Sequence, residues 1–233
     1  MNESGNKKLV AGWSLTSRCN LDCMHCYNRS GCADPDELSF EEAIAVADKL
    51  KAAGVAAVNF GGGECALRKE FIDICQYLKS HDIKISYTTN GTVSKILMPN
   101  LKLFSDIGVS IDFPDREKHD WFRGRKGTYE QAINLIKSLV NAGMDTEIVT
   151  CLTRMNCSPE YLQKFMDLAK NLGVNYWRIN RFRNTGRGID NSSELALTPE
   201  LLHNAYGWLS KYINQSTNIP EPLFRAAYGG DIL

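Results

Sequence analysis

Three thiols, Cys19, Cys23 and Cys26, fall within eight residues of the stretch TSRCNLDCMHCYN (16–28). Three is an uneven number for the common uses of cysteine: a disulfide framework needs an even count, and a closed zinc site needs four ligands. Cysteine thiolates are the usual ligands of iron–sulfur clusters. A cubane cluster has four irons, so three cysteines leave one iron open to another ligand. The Cys-x3-Cys-x2-Cys spacing lets one tight loop wrap such a cluster without a regular helix. The competing reading is a zinc site with His25 as fourth ligand, and hence a zinc-stabilised, non-catalytic binding module. Against it, adjacent His25 and Cys26 can hardly both point at one ion.

Other groups able to do chemistry recur at regular intervals. Gly61-Gly62-Gly63-Glu64-Cys65 is followed by Thr88-Thr89-Asn90-Gly91, then Ser110 and Asp112, then Thr150, Cys151 and Thr153, then Asn180, Arg181 and Arg183. Each set directly follows or ends a short apolar run. Each also has a plain structural reading. The glycines suit an ordinary turn, Glu64 suits a helix N-terminus, Ser110 and Asp112 suit caps, and Arg123, Arg125, Arg181, Arg183 and Arg187 suit a solvated surface, although the position of the last three after the sixth apolar run raises their chance of facing substrate. Cys75 and Cys151 fit buried faces, and a buried Cys65 is equally ordinary.

The elements that would position these groups alternate. Runs at 9–15, 55–60, 83–89, 107–112, 146–152 and 174–180 read as strands. Between them, Ser39 and Glu42 form a capping box before an apolar stripe that Gly54 ends. Further helices are expected near 69–80, weakly at 93–105 where Pro99 opposes continuity, from Thr128 with Gln131 at the box position, from Ser158-Pro159 to Gly173, and from Thr198-Pro199. Helical crossovers imply parallel strands. The fold expected is α/β, a partial (β/α)6 TIM-like barrel, with an open doubly wound sheet as the other arrangement. In either, chemistry gathers at the C-terminal strand ends, where every polar set above falls.

Bulk properties narrow the class. The 233 residues carry 27 Lys+Arg against 27 Asp+Glu, which excludes a nucleic-acid binder working by bulk charge. The 43% hydrophobic content suits a packed core. No apolar run approaches the ~20 residues of a membrane span, and the start MNESGNKKLV has no signal-peptide core. A cytoplasmic protein with reduced thiols is expected.

CNLDCMHCY closely resembles the signature of the radical S-adenosylmethionine (radical SAM) superfamily. GGGEC resembles its Gly-Gly-Glu motif, and YTTNG resembles the strand-three ending of many members. VSIDFPDREKHDWFRGRKGTYEQA and RINRFRNTGRG resemble the subgroup of sulfatase-maturating enzymes and peptide maturases, whose members often carry a SPASM or twitch domain. The resemblance spans about residues 9 to 215. It implies a radical SAM core domain over 1–215, with 216–233 as the start of a C-terminal extension, truncated here or naturally short. It implies that Cys19, Cys23 and Cys26 ligate a [4Fe–4S] cluster whose open iron chelates SAM. Electron transfer then yields a 5′-deoxyadenosyl radical that abstracts a substrate hydrogen, with an electron donor such as flavodoxin or ferredoxin. Carried over residue by residue, Gly62 and Gly63 lie against the methionine moiety, Glu64 pairs with its ammonium, Ser110 contacts SAM, and Arg123, or failing it Arg125, holds the carboxylate. His25 stands where a large aromatic is usual and is expected near the adenine; Asn90 falls in the strand-three motif. Cys65 replaces a usual proline and is a candidate hydrogen-atom donor. The substrate expected is a ribosomal peptide or protein, with a small biosynthetic metabolite as the alternative.

Overall fold

Apolar runs and amphipathic segments do alternate as strand and helix. The structure, a computed structural model, describes residues 9–215 and 223–227, with residues 212–215 and 223–227 described by backbone alone. The chain forms β1 (Leu9–Thr16), α1 (Phe40–Ala52), β2 (Val55–Gly62), a 3-10 turn (Cys65–Leu67), α2 (Phe71–Ser80), β3 (Lys84–Thr89), α3 (Ser94–Leu97) and a second 3-10 segment (Met98–Leu103). It continues with β4 (Asp106–Ser110), α4 (Arg116–Phe122), α5 (Thr128–Asn141), β5 (Thr146–Leu152), α6 (Pro159–Leu172) and β6 (Tyr176–Arg181). A 3-10 turn (Gly186–Ile189), α7 (Ser192–Leu195), α8 (Pro199–Gln215) and β7 (Leu223–Ala227) complete it.

All strands are parallel and lie in sequence order, β1 to β7. Right-handed crossovers in unbroken order put the main crossover helices, α1, α2, α5 and α6, on one face of the sheet. A doubly wound sheet would need the order to reverse. The sheet therefore curls into an open half-barrel with β1 and β7 as its edges.

Period-two alternation decides what each face carries. The outer face presents Val58, Phe60, Ile85, Tyr87, Ile107, Val109, Ile148, Trp177 and Ile179, all buried in one cluster with Phe71, Leu78, Leu135, Ile136, Leu162 and Phe165 of the helices. Phe60 meets Phe71 edge-on at 5.4 Å, and Trp177 stacks on Phe165 at 5.3 Å. The Trp177 indole N–H donates to Thr150 Oγ1 at 2.9 Å, so its polar end is satisfied inside the core. Burying one such side chain stabilises by roughly 1.5–3 kcal/mol, which makes this layer the main support of the fold. The inner face instead carries Gly12, Ser14, Asn59, Thr88, Ser110, Cys151 and Asn180. Closed barrels fill their interior with large branched residues; these small polar ones leave a chamber.

The Ser39–Glu42 capping box forms, as do the Ser158 cap with Pro159 in the first turn and the left-handed Gly173 stop. The 93–105 segment breaks at Pro99–Asn100, as its proline requires. Several expectations need correction. Thr128 is not the cap of α5; Gly127, at φ +87°, takes that place. The carboxylate of Asp120 supplies the acceptors instead, receiving Gly127 N–H at 2.6 Å, Tyr129 N–H at 2.8 Å and Thr128 Oγ1 at 2.9 Å. Burial raises its pKa, but these three donors bring it below the usual range. Helix α4, which bears Asp120, has no counterpart among the predicted helices. β4 ends at Ser110, so Asp112 lies just past the strand rather than on it. A seventh strand joins the six predicted; it lies within the 216–233 assigned to an extension and pairs with β6, Tyr176 opposite Leu223. Among the described residues no helix is long and apolar enough to cross a membrane.

Asp120→Ala removes three acceptor bonds at a helix start without exposing new apolar surface. The expected cost is about 2 kcal/mol, read as a lower urea midpoint at unchanged slope.

Candidate active site

The end of β1 is fastened before the cysteines begin. Glu37 accepts Thr16 Oγ1 at 2.8 Å and Ser17 N–H at 2.7 Å. Cys19 N–H then donates to Gly31 O at 2.8 Å, and Gly31 N–H to Ser17 O at 2.9 Å, closing the neck of the cysteine loop. The turn after β6 clasps the loop from the other side. Arg187 donates from Nη2 to Ser30 O at 2.8 Å, from Nη1 to Cys23 O at 3.1 Å and from its backbone N–H to Cys26 O at 2.8 Å. Asn191 Nδ2 donates to Met24 O at 3.0 Å. A Cβ at Gly186 would overlap the Cys26 and Tyr27 carbonyls, so that turn admits only glycine there.

Held in this way, Cys19, Cys23 and Cys26 all line one cavity of about 700 Å³ at the C-terminal strand ends. Among the described residues no three His, Cys, Asp or Glu side chains converge on a point that a single metal ion would occupy. His25 lines the same cavity, but its ring is engaged elsewhere: it stacks on Phe122 at 4.6 Å, and its Nε2 lies 3.7 Å from Asp112. Burial lowers its pKa to about 4, so it is neutral. This arrangement disfavours a zinc site built from the three cysteines and His25. It fits a larger cluster, in which each thiolate meets a different iron. Burial pushes Cys23 up to about 12 and raises Cys19 as well; a coordinating metal deprotonates such thiols outright. His25 Nδ1 is buried at the cavity wall with no partner.

Glu64, 2% exposed, follows β2 and lines the cavity. It accepts the Tyr87 hydroxyl, Thr89 Oγ1 at 3.0 Å and Asn90 N–H at 2.7 Å. Burial raises its pKa to about 7 against these donors. Asn90 joins the end of β3 to the cysteine loop through Asn20, at 2.9 Å. Gly62 and Gly63 line the cavity, but what demands glycine is internal. A Cβ at Gly62, φ +103°, would stand 2.7 Å from Thr16 O, and one at Gly63 would overlap the Arg18 carbonyl. The Tyr27 hydroxyl accepts Gly62 N–H at 3.2 Å.

On the far wall stand Ser110 and a buried ion pair. Asp112 Oδ2 accepts Arg123 Nε at 2.7 Å and Nη2 at 2.5 Å, while Oδ1 accepts Cys151 N–H at 2.8 Å. Burial would raise the Asp112 pKa, yet Arg123 holds it down, and Arg123 rises in turn. Arg123 therefore keeps its charge at the cavity while 6% exposed. Arg125 is exposed and does not line the cavity.

Cys65 does not reach the chamber. It turns into the core, fully buried, with its thiol donating to Gly61 O at 3.2 Å. Besides the three thiols of the loop, Cys151 lines the wall, although the sequence places it in the core; its pairing opposite Asn180 puts it on the inner face. Glu37, Tyr27 and Asn191 escaped sequence reasoning as site residues, and Arg187 escaped it as a holder of the cysteine loop, because each acts through partners far along the chain.

Residues 13–172 match the family described as the Radical SAM superfamily. The chain is 35% identical over 201 residues to mycofactocin maturase MftC of Mycolicibacterium smegmatis, covering 84% of this chain and 50% of that protein. It is 32% identical over 207 residues to AdoMet-dependent heme synthase of Oleidesulfovibrio alaskensis, covering 86% and 52%. The chain thus spans about half the length of these curated relatives. Its fold superposes on Streptococcus suis SuiB bound to S-adenosylmethionine with a TM-score of 0.76 at 17% identity, covering 96% of this chain and 51% of that one. With a cysteine loop, a buried glutamate and an anchored arginine converging on one half-barrel chamber, and a family match over most of its length, the chain belongs to the radical SAM superfamily.

Proposed function

We propose that the protein is a radical SAM enzyme whose substrate is a ribosomal peptide or protein. The observation that carries this reading is that three thiols, Glu64 and the Asp112-anchored Arg123 face one chamber from separate strand ends. When bound, a [4Fe–4S] cluster would supply the electron that splits S-adenosylmethionine into methionine and a radical able to take a substrate hydrogen. Cys19, Cys23 and Cys26 would hold that cluster. Glu64 would pair with the SAM ammonium. Ser110 and the remaining Arg123 donors would take its carboxylate, Asp112 keeping the guanidinium in place. Gly62, Gly63, Asn90 and His25 would complete the wall around it. A flavodoxin or ferredoxin would deliver the electron. The similarity to a maturase favours a peptide substrate, while the similarity to a heme synthase supports the second reading, a small biosynthetic metabolite.

Anaerobic reconstitution with iron and sulfide tests the reading. Roughly four irons per chain are expected, together with dithionite-dependent formation of 5′-deoxyadenosine. Zinc uptake without sulfide, or no SAM cleavage by loaded protein, would reject it. Arg123→Lys keeps a charge against Asp112 but loses the planar fork, so SAM affinity by equilibrium dialysis should fall about tenfold. Arg125→Lys should leave it unchanged.

A further inference from the structure

The two halves of the chamber differ in charge. Toward β1–β3 the charged side chain on the wall is Glu64. Toward β4–β6 the one acid, Asp112, is already paired with Arg123, and the wall adds Arg178, Arg181 and Arg183. Arg178 forms the floor. Its Nη2 crosses to Thr88 Oγ1 at 2.7 Å and its Nε lies 3.0 Å from Glu147, so its charge is balanced. It passes over Gly108, where a Cβ would stand 3.0 Å from Nη2. Arg181, at the end of β6, is exposed, lines the chamber, and its side chain has no ion pair or hydrogen bond among the described residues. Beside it, the Asn180 Oδ1 is buried with no donor. A buried acceptor left unfilled is unfavourable, and a ligand that fills it is favoured.

We infer that this half of the chamber is a carboxylate subsite, in which Arg181 takes a substrate carboxylate and the Asn180 amide oxygen accepts an adjacent N–H. The inference rests on the proposed enzyme function and adds the chemistry of the substrate. An N–H next to a carboxylate is peptide chemistry: either a C-terminal residue or an acidic side chain beside its own amide. The SAM carboxylate has separate partners on the β4 side, so the two anions do not compete. Arginine suits the task because its fork matches a carboxylate in two-pronged fashion.

The test uses reconstituted, SAM-loaded protein dialysed against a pool of N-acetylated tripeptides with free carboxyl ends, and against the same pool as C-terminal amides. Retention is read by mass spectrometry. Carboxylate-bearing peptides should be retained about tenfold over neutral amides. Retention of free acids whatever their sequence assigns the group to the chain end. Retention of amides that contain Asp or Glu assigns it to a side chain. Arg181→Gln should erase the preference and Arg181→Lys should keep part of it; the position is exposed, and an unchanged thermal midpoint confirms the fold in each variant. Equal retention of carboxylate-bearing and neutral peptides by the wild type, including none, or a full preference surviving in Arg181→Gln, would overturn the inference. Failure of the enzyme reading would show separately, as absent 5′-deoxyadenosine in the wild type.

Discussion

Cys23→Ala protein, reconstituted anaerobically, is expected to form less than about a hundredth of the wild-type 5′-deoxyadenosine, since even the loss of an outer partner to a ligand costs 10–100-fold. The substitution is a clean one. Burial keeps the free Cys23 thiol neutral, so alanine removes no charge from the folded chain. The bond from Arg187 reaches the Cys23 carbonyl, which alanine retains, and the Cys19–Gly31 neck is untouched. The loop should therefore fold as before and lose only a ligand. Cys32, exposed, and Cys65, buried away from the chamber, are the matched controls: alanine at either should leave iron content and SAM cleavage near wild type. Full cleavage by Cys23→Ala would reject the ligand assignment.

Glu64→Gln should weaken SAM binding by at least about tenfold with the cluster still loaded, and should also remove a pH dependence. The carboxyl group has a folded pKa of about 7, raised by burial above the ordinary 4.5. Its unfolded form loses its proton first, so in ligand-free protein stability falls as pH rises from about 4.5 to 7, by about 3 kcal/mol at most, and is flat above. Binding a cationic ammonium requires the ionised form. SAM affinity in the wild type should therefore rise toward tenfold per pH unit between about pH 5.5 and 7, then level off. In Glu64→Gln the profile over that window should be flat. A wild-type profile without slope would count against the Glu64–ammonium pair.

What the sequence made legible was local in origin. The cysteine spacing, the Gly-Gly-Glu stretch and the strand–helix alternation each lie within a few residues, and the half-barrel follows from their order. Part of the inner-face polarity was visible in the same runs, as Thr88, Ser110 and Asn180. Less legible were roles set by distant partners. Asp112 looked like a cap, yet it anchors Arg123, which returns to it by way of α4. Thr128 looked like a helix cap, yet Asp120 of α4 supplies the carboxylate and Gly127 the backbone angle. Arg187 looked like a surface or substrate charge, yet its side chain donates to two carbonyls of the cysteine loop. Cys65 and Cys151 exchanged expectations because strand pairing, not adjacency to Glu64, decides which thiol faces the chamber. Glycine at 62 and 63 looked like a need for close approach to a ligand, yet the close passage of the β1 end already demands it.

The clasp on the cysteine loop also sets an order of assembly. Its partners lie 157 and 164 residues apart for Arg187, and 167 for Asn191. A ribosome must therefore deliver nearly the whole half-barrel before the loop that leaves it first can be secured. Until residue 191 emerges, the three thiols lack this clasp and rely on the neck and on the contacts of Asn20 with Asn90 and of Tyr27 with Gly62. Metal delivered to the nascent chain would meet a mobile trio, open to mispairing or to the wrong ion, whereas metal delivered afterwards meets a shaped cradle. Maturation of this protein should accordingly be post-translational. A peptide bond cut between residues 183 and 186, remote in sequence from Cys19, Cys23 and Cys26, should loosen this clasp and hasten the loss of a loaded cluster.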